Sequence, residues 1–372
     1  MYSESDIENA VATGAISAQA AAALRESVAR ARSTPLVDEE SFRLITGFND
    51  IFVTIAAALL LIAIGWIGFS IAGPDNSNAA TSEEADRLIA HGLTLAGLLV
   101  AGAAWGLAEY FTARRRMALP SIVLLGAFVA AVAGSLFGAA FSVFGPPHNA
   151  DRLVAGIASG VGLITAGAAY LHWRRFRVPI TIAALTAALV ATIVALFLSA
   201  VPEARDSLLW VLLMAGIAVF GFAMAWDKSD RMRQTRRSDV AFWLHLAAAP
   251  MIAHPVFKLL GVMNNEVSPS TGLIVILLYV IFGIVALAVD RRALLVSSLA
   301  YVLYALAGLF KQAGAVSLNV ALTALVIGSA LLLLSAFWHA VRRIVVTALP
   351  GELQAKLPAL DRPAPIASHA TA

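Results

Sequence analysis

The sequence predicts an all-α protein, a polytopic transmembrane helix bundle of about ten spans with both termini cytoplasmic. Three observations predict it. Of 372 residues, 60% are hydrophobic and only 13% charged, against roughly 45–50% and 25% in ordinary soluble domains. Ten segments between Asp50 and Ala340 are long and apolar enough to cross a bilayer, for which about 20 residues are needed. The connections between them alternate between basic and non-basic along the whole chain.

The chain divides into a cytoplasmic N-terminal helical hairpin (1–48), a ten-span transmembrane domain (49–341) and a cytoplasmic tail (342–372). In the first part, Asp6–Arg32 has apolar positions at helical spacing, interrupted by TGAIS at Thr13–Ser17. Gly14 suits a helix C-terminus and Ser17 the cap of a second helix. The hairpin reads as a cap or small partner-binding unit, or as an amphipathic face with Arg25, Arg30 and Arg32 near anionic headgroups. Its alanine-rich second helix has few side chains to read bases. No nucleic-acid partner is therefore expected, despite the formal charge of +3. No cleavable signal is read, since the first apolar run starts near Ile51.

The spans are expected near 50–73, 88–112, 118–144, 152–172, 178–200, 207–226, 240–261, 270–289, 293–310 and 317–340. All but five of the 26 Lys and Arg residues fall on one side: the N-terminal segment, the turns at Arg114–Arg116, Arg174–Arg177 and Arg291–Arg292, the loop 227–239 and the tail. The other side holds Arg87, Arg152, Arg205, Lys258 and Lys311. Basic residues concentrate in cytoplasmic loops, which places both termini inside. The longest outward loop, Pro74–Arg87, is acidic and too short for a folded domain. From Leu349 the tail is rich in proline, alanine and small polar residues and is expected to be disordered.

Two patterns bear on packing. YFTARRRMALPSI from Tyr110 and YLHWRRFRVPITI from Tyr170 share a basic turn and a proline. They read either as parallel repeats of helix hairpins or as the common fate of cytoplasmic turns. GxxxG occurs at Gly102–Gly106, Gly134–Gly138 and Gly156–Gly160, which hints at close packing of the second to fourth spans.

Zero cysteines exclude disulfides, thiolate metal sites and a cysteine nucleophile. HExxH, GxSxG, a Walker loop and paired acids are all missing, so neither a catalytic group nor a metal site nor a cofactor is assigned. Ionisable groups within spans are expensive, so depth ranks the candidates. His254 is the deepest, near the middle of a seventh span that also carries Pro250, Pro255, Lys258 and His245. Each proline removes a backbone donor, and a kinked helix results. It reads as lining a polar cavity, with His254 titrating or contacting a ligand, or as a packing helix whose His254 bonds to a neighbour. His245 and Lys258 lie near opposite interfaces, and 900° of helical rotation sets His245 and His254 on opposite faces, which rules out a metal pair.

Partners for His254 are sought at Tyr301 and Tyr304 in the ninth span or at Ser297 and Ser298. Weaker candidates are Glu109, read as an interfacial ion pair with Arg114–Arg116, and His91 at the outer start of the second span. His172 and His339, each beside a tryptophan, read as aromatic-belt positions.

TGAIS at Thr13–Ser17, FRLITGFNDIF entering the first span, and RRSDVAFWLHLAAAP at Arg236–Pro250 carry a resemblance. With them the chain resembles uncharacterised bacterial multi-pass membrane protein families of unknown function, which set a short cytoplasmic helical segment ahead of eight to twelve spans. The resemblance implies the inner membrane of a Gram-negative bacterium and supplies no catalytic residues. The expected partners are the lipid bilayer and an unidentified small solute or protein. Two functions follow: transport or sensing of a small solute, proton-linked or not, and a non-transporting scaffold that docks a cytoplasmic partner through the N-terminal hairpin and loop 227–239. A membrane-embedded enzyme ranks below both.

Overall fold

In the computed structural model, residues 10–24, 48–73, 81–145, 151–201, 207–233, 235–261, 269–312 and 319–360 are described. Among them the regular structure is all helical. The chain falls into two units, 1–42 with 361–372, and 43–360. In the first, a helical turn at 10–12 ends at Gly14, whose φ of +73° is the left-handed conformation glycine tolerates. A helix at 18–24 then starts with the Ala20 N–H donating to Ser17 Oγ at 3.0 Å. Both punctuation residues act as their chemistry suggests.

The second unit contains α1 (Phe48–Ala72), α2 (Ser82–Ala108, prolonged by a π-helical turn Glu109–Arg114), α3 (Ala118–Phe144), α4 (Asp151–Phe176), α5 (Ile180–Ala200) and α6 (Leu208–Ser229). It continues with α7 (Arg236–Leu259), α8 (Pro269–Val289), α9 (Ala293–Gln312), α10 (Asn319–Ala336), α11 (Trp338–Thr347) and α12 (Gly351–Gln354). Eight helices, α1 to α8, are long and apolar enough to cross a membrane.

The ninth and tenth expected spans fall on α9 and α10, which do not meet that standard singly. The expected tenth span at 317–340 breaks at Phe337, where α11 leaves α10 at 74°. The break lets Trp338 and Arg342 turn into the bundle, where both are buried.

Packing is strongest between sequence neighbours: α2 with α3, α4 with α5 and α6 with α7, followed by α1 with α2 and then α8 with α9. Small residues at the crossings allow close backbone approach. A Cβ added at Gly97 would lie 2.6 Å from the Ala131 carbonyl oxygen, and one at Gly138 2.6 Å from that of Ala90. Gly68 meets Ala96 between α1 and α2, and Gly162 meets Thr192 between α4 and α5. Of the GxxxG glycines, Gly102, Gly106, Gly134 and Gly160 have nothing within 4 Å of such a Cβ. Spans two and three do pack closely, through Gly97, which lies outside the motifs, and through Gly138 of the second GxxxG.

The four turns at the basic end share one conformation. Arg116, Arg177, Arg233 and Asp290 have φ of 55°, 55°, 53° and 58°, a left-handed conformation that costs a non-glycine residue about 1 kcal/mol. At Asp290 the helix closes in a Schellman pattern, with Arg291 N–H donating to Ala286 O and Asp290 N–H to Leu287 O. The hairpin repeat read at Tyr110 and Tyr170 thus has a geometric counterpart that extends to α6/α7 and α8/α9.

The tail differs from its expectation over residues 349–360. Leu357 is buried with Val289 and Val346, and Gly351–Gln354 is helical. Leu349, Leu357 and Leu360 supply enough apolar surface to bind this short segment to the bundle. Residues 361–372 lie outside the described ones.

Candidate functional site

Half of the apolar window of α7 is buried inside the protein, against 17% for α1 and for α6. It packs on α6, α5 and α9, and His245 and His254 both find partners on those neighbours. Pro250 and Pro255 both lie within one continuous helix, Arg236–Leu259, rather than at a break. Pro255 leaves the Met251 carbonyl without its usual helical donor. Gly216 of α6 lies against this point, since a Cβ there would come 2.9 Å from the Met251 carbonyl carbon.

The two histidines of α7 serve different neighbours. His254 Nδ1 and Tyr301 Oη of α9 share a hydrogen bond of 2.6 Å. The Tyr301 ring stacks on Phe257 at 4.6 Å. Tyr301 is one of the partners the sequence suggested, whereas Tyr304 is exposed. Lys258 and Pro250 are exposed and Pro255 is buried.

His245 is far from an uncommitted interfacial residue. Only 2% exposed, its Nε2 donates to Asp227 Oδ2 of α6 at 2.8 Å, and its ring meets Phe220 edge-on at 5.0 Å. The other Asp227 oxygen accepts from Arg291 Nη2 at 2.7 Å, and the same nitrogen donates to Ser238 O at 3.0 Å. Asp227 and Arg291 are both buried.

A second buried pair lies beside the first. Asp290 accepts from Arg233 Nη1 at 3.0 Å and from Trp338 Nε1 at 2.8 Å, with Arg342 Nε 3.5 Å away. Arg233 Nη2 also donates to the carbonyls of Val289 and Asp290 at the end of α8. Arg342 Nη2 donates to Pro358 O at 2.8 Å, and Arg231 Nε to Leu357 O at 2.8 Å, which straps the tail across this end.

The pairs are reciprocal. Hairpin α6/α7 gives Asp227 and Arg233, and the turn α8/α9 gives Arg291 and Asp290. Charges buried this way are held by mutual hydrogen bonding, and removing one partner strands the other. A movement of the two hairpins apart at this end would strand the buried charges of both pairs.

From sequence, Arg291 and Arg342 read only as topology markers, Arg233 as a topology marker and part of the docking loop 227–239, and Trp338 only as the neighbour of His339, while neither Asp227 nor Asp290 stands out as a site residue. A signal was present. Asp227 and Asp290 sit at the C-terminal ends of α6 and α8, where the helix dipole disfavours an acid, so each requires a compensating cation.

The remaining candidates scatter. Glu109 takes Arg175 of α4 as a two-point partner at 2.8 and 2.6 Å, not Arg114–Arg116, because Arg115 folds back onto the Tyr110 hydroxyl. That pair is half exposed and contributes little. His91 is exposed on α2, and His339 on α11. His172 is not an aromatic-belt residue at the surface. It is 1% exposed, enclosed by Trp105, Phe128 and Phe176 at 5.9, 5.6 and 4.5 Å, because that face of α4 packs inward.

Among the described residues, no three His, Asp or Glu side chains converge to hold a metal ion. Compared with family models, curated proteins and solved structures, the chain matches none. The helices place it in a lipid bilayer as a multi-pass membrane protein.

Proposed function

We propose that this protein moves or senses a small solute, with proton-linked transport as the specific form, and that hairpin α6/α7 works against α8/α9. The observation that carries the reading is the reciprocal Asp227–Arg291 and Asp290–Arg233 pairing at one end of those hairpins. A polar link, His254 to Tyr301, joins the same two hairpins within their apolar length. A polar contact between helix pairs that can be made and broken can serve as a gate, and polar groups inside the apolar zone mark a conducting path. Ten spans, with α9 and α10 as the last two, both termini cytoplasmic, and a bacterial inner membrane complete the proposal. The alternation of basic turns supports the orientation, and the location rests on the resemblance carried by TGAIS at Thr13–Ser17 and the motifs that follow it.

The test uses the proton as probe. Purified protein in vesicles with a trapped pH-sensitive dye should dissipate an imposed pH gradient faster than empty vesicles. His254→Ala should slow it while leaving insertion unchanged. Dissipation no faster than in empty vesicles, or equal for both proteins, overturns the proton-linked reading.

The scaffold alternative loses part of its surface. Arg231 and Arg233 of loop 227–239 are engaged by the tail and by Asp290, while Lys228, Arg236 and Arg237 remain exposed. Deletion of residues 1–40 tests what is left: a docking hairpin predicts loss of partner capture with insertion intact.

A further inference from the structure

Residues 351–360 of the tail cross the seam between hairpin α6/α7 and the side of the bundle formed by α8 and α11, and they are bonded to both. On the first side, Arg231 of the α6/α7 turn donates from Nε to Leu357 O at 2.8 Å and from Nη2 to Gln354 O at 3.3 Å. The Arg231 carbonyl in turn accepts from the Ala359 N–H at 3.2 Å. On the second side, Arg342 of α11 donates to Pro358 O at 2.8 Å and to Ala359 O at 3.3 Å. Helix α11 is itself fixed to α8, on which it packs and where Trp338 donates to Asp290.

Leu357 closes the seam. It is buried in one cluster with Val289 of α8 and Val346 of α11, and Phe220 and Met224 of α6 pack against that cluster. Leu353, Ala355 and Lys356 before it are exposed. The strap is thus held by a small apolar anchor and by main-chain acceptors, a kind of contact that opens locally without unfolding the helices beneath it. It also shares a cation with the ion network. The Arg342 whose Nη atoms serve the strap has its Nε 3.5 Å from Asp290 Oδ1, and Asp290 pairs with Arg233, two residues along the chain from Arg231.

We propose that residues 351–360 are a latch: docked, they hold α6/α7 against α8/α9, and they let go of Arg231 before those hairpins part. The latch rests on the working of the two hairpins proposed above and adds how that working is regulated. With the strap docked, a separation that breaks the Asp290–Arg233 pair also has to pull Arg231 from two carbonyls and uncover the Leu357 cluster from Phe220 and Met224. Once the strap is released, those contacts no longer oppose the movement.

The chain has no cysteine, so Arg237→Cys with Val296→Cys, both exposed at this end of α7 and α9, carry spin labels that measure the distance between the two hairpins in nanodiscs. Arg114→Cys with Arg174→Cys, exposed at the basic ends of α2 and α4, form a control pair. Leu357→Asp removes the apolar anchor and should raise the longer-distance population of the first pair at least about tenfold, the ratio that burial of one leucine supports. The control pair should not change. Arg231→Gln, at an exposed position, should act in the same direction, and it carries the test should Leu357→Asp fail to insert. First-pair distances equal to those of the unmodified protein in both variants, or equal broadening of the control pair, overturn the latch. In vesicles the same variants should dissipate an imposed pH gradient several-fold faster. Longer distances with no proton movement by any of the proteins leave the latch standing and remove the proton-linked reading instead. Longer distances with an unchanged rate, in a protein that does move protons, overturn the regulatory role.

Discussion

The hairpins α2/α3 and α6/α7 are both tightly packed, yet by opposite means. Between α2 and α3 the backbones nearly touch, at Gly97 with Ala131 and at Gly138 with Ala90. What holds them is dispersion over a small-residue crossing, the general means of association where lipid is as apolar as the helix. Between α6 and α7, one such crossing at Gly216 is joined by Asp227 and His245, and through Arg291 the pair extends to the next hairpin. Backbone contact this close at Gly97 and Gly138 is lost by any large shift of one helix on the other. Hydrogen-bonded charges have discrete arrangements, which is what the proposed working of α6/α7 against α8/α9 requires.

Removing one charge should separate the two regions most clearly. Asp227→Ala leaves Arg291 and His245 buried without their carboxylate and should destabilise the protein by about 3–5 kcal/mol, measured as unfolding in detergent. Replacing the whole set, Asp227→Leu with His245→Leu and Arg291→Met, should recover most of that loss, because desolvation of the charges disappears with them. A triple variant as unstable as Asp227→Ala would mean that the network is built for stability and not for switching. In the first region, Gly138→Val drives a side chain into Ala90 and Thr94 and should cost about 1–3 kcal/mol by overpacking.

A milder change tests the polar link within the apolar zone. Tyr301→Phe keeps the ring stacked on Phe257 and deletes only the bond to His254. Interhelical hydrogen bonds in membranes average about 0.6 kcal/mol, so stability should barely move while the gradient-dissipation rate falls as in His254→Ala. A rate equal to that of the unmodified protein would reduce the pair to packing.

How much of this could be read from sequence follows from the range of the interactions. Gly14 and Ser17 were legible because a left-handed cap and an N-cap are decided within four residues. The helix positions were legible from apolar length, and the opposite faces of His245 and His254 from helical rotation. The ion network was not, since Asp227 and Arg291 are 64 residues apart and hydropathy places both at a loop edge, where a charge needs no explanation. Depth misled in the same way. It ranked His254 above His245, although burial at a bundle end comes from neighbouring turns and the strapped tail, which no single helix discloses. The C-terminal segment 349–360 was misjudged because Leu349, Leu357 and Leu360 are too few for a core alone and sufficient once α8 and α11 supply the other side.

The smallest expected effect bears on the GxxxG reading. Gly102 and Gly106 are exposed on α2 with nothing near a built Cβ, so Gly102→Ala with Gly106→Ala meets no steric penalty within the chain. Alanine also has the higher helix propensity, by up to about 1 kcal/mol per residue. The double variant should therefore unfold at the same or slightly higher denaturant than the unmodified protein when both are monomeric in dilute detergent. Repeating the measurement at bilayer density sharpens the comparison. A loss of stability there, with none in dilute detergent, would mean that α2 uses these glycines against a second copy, and the small-residue mode of packing would then extend beyond the single chain.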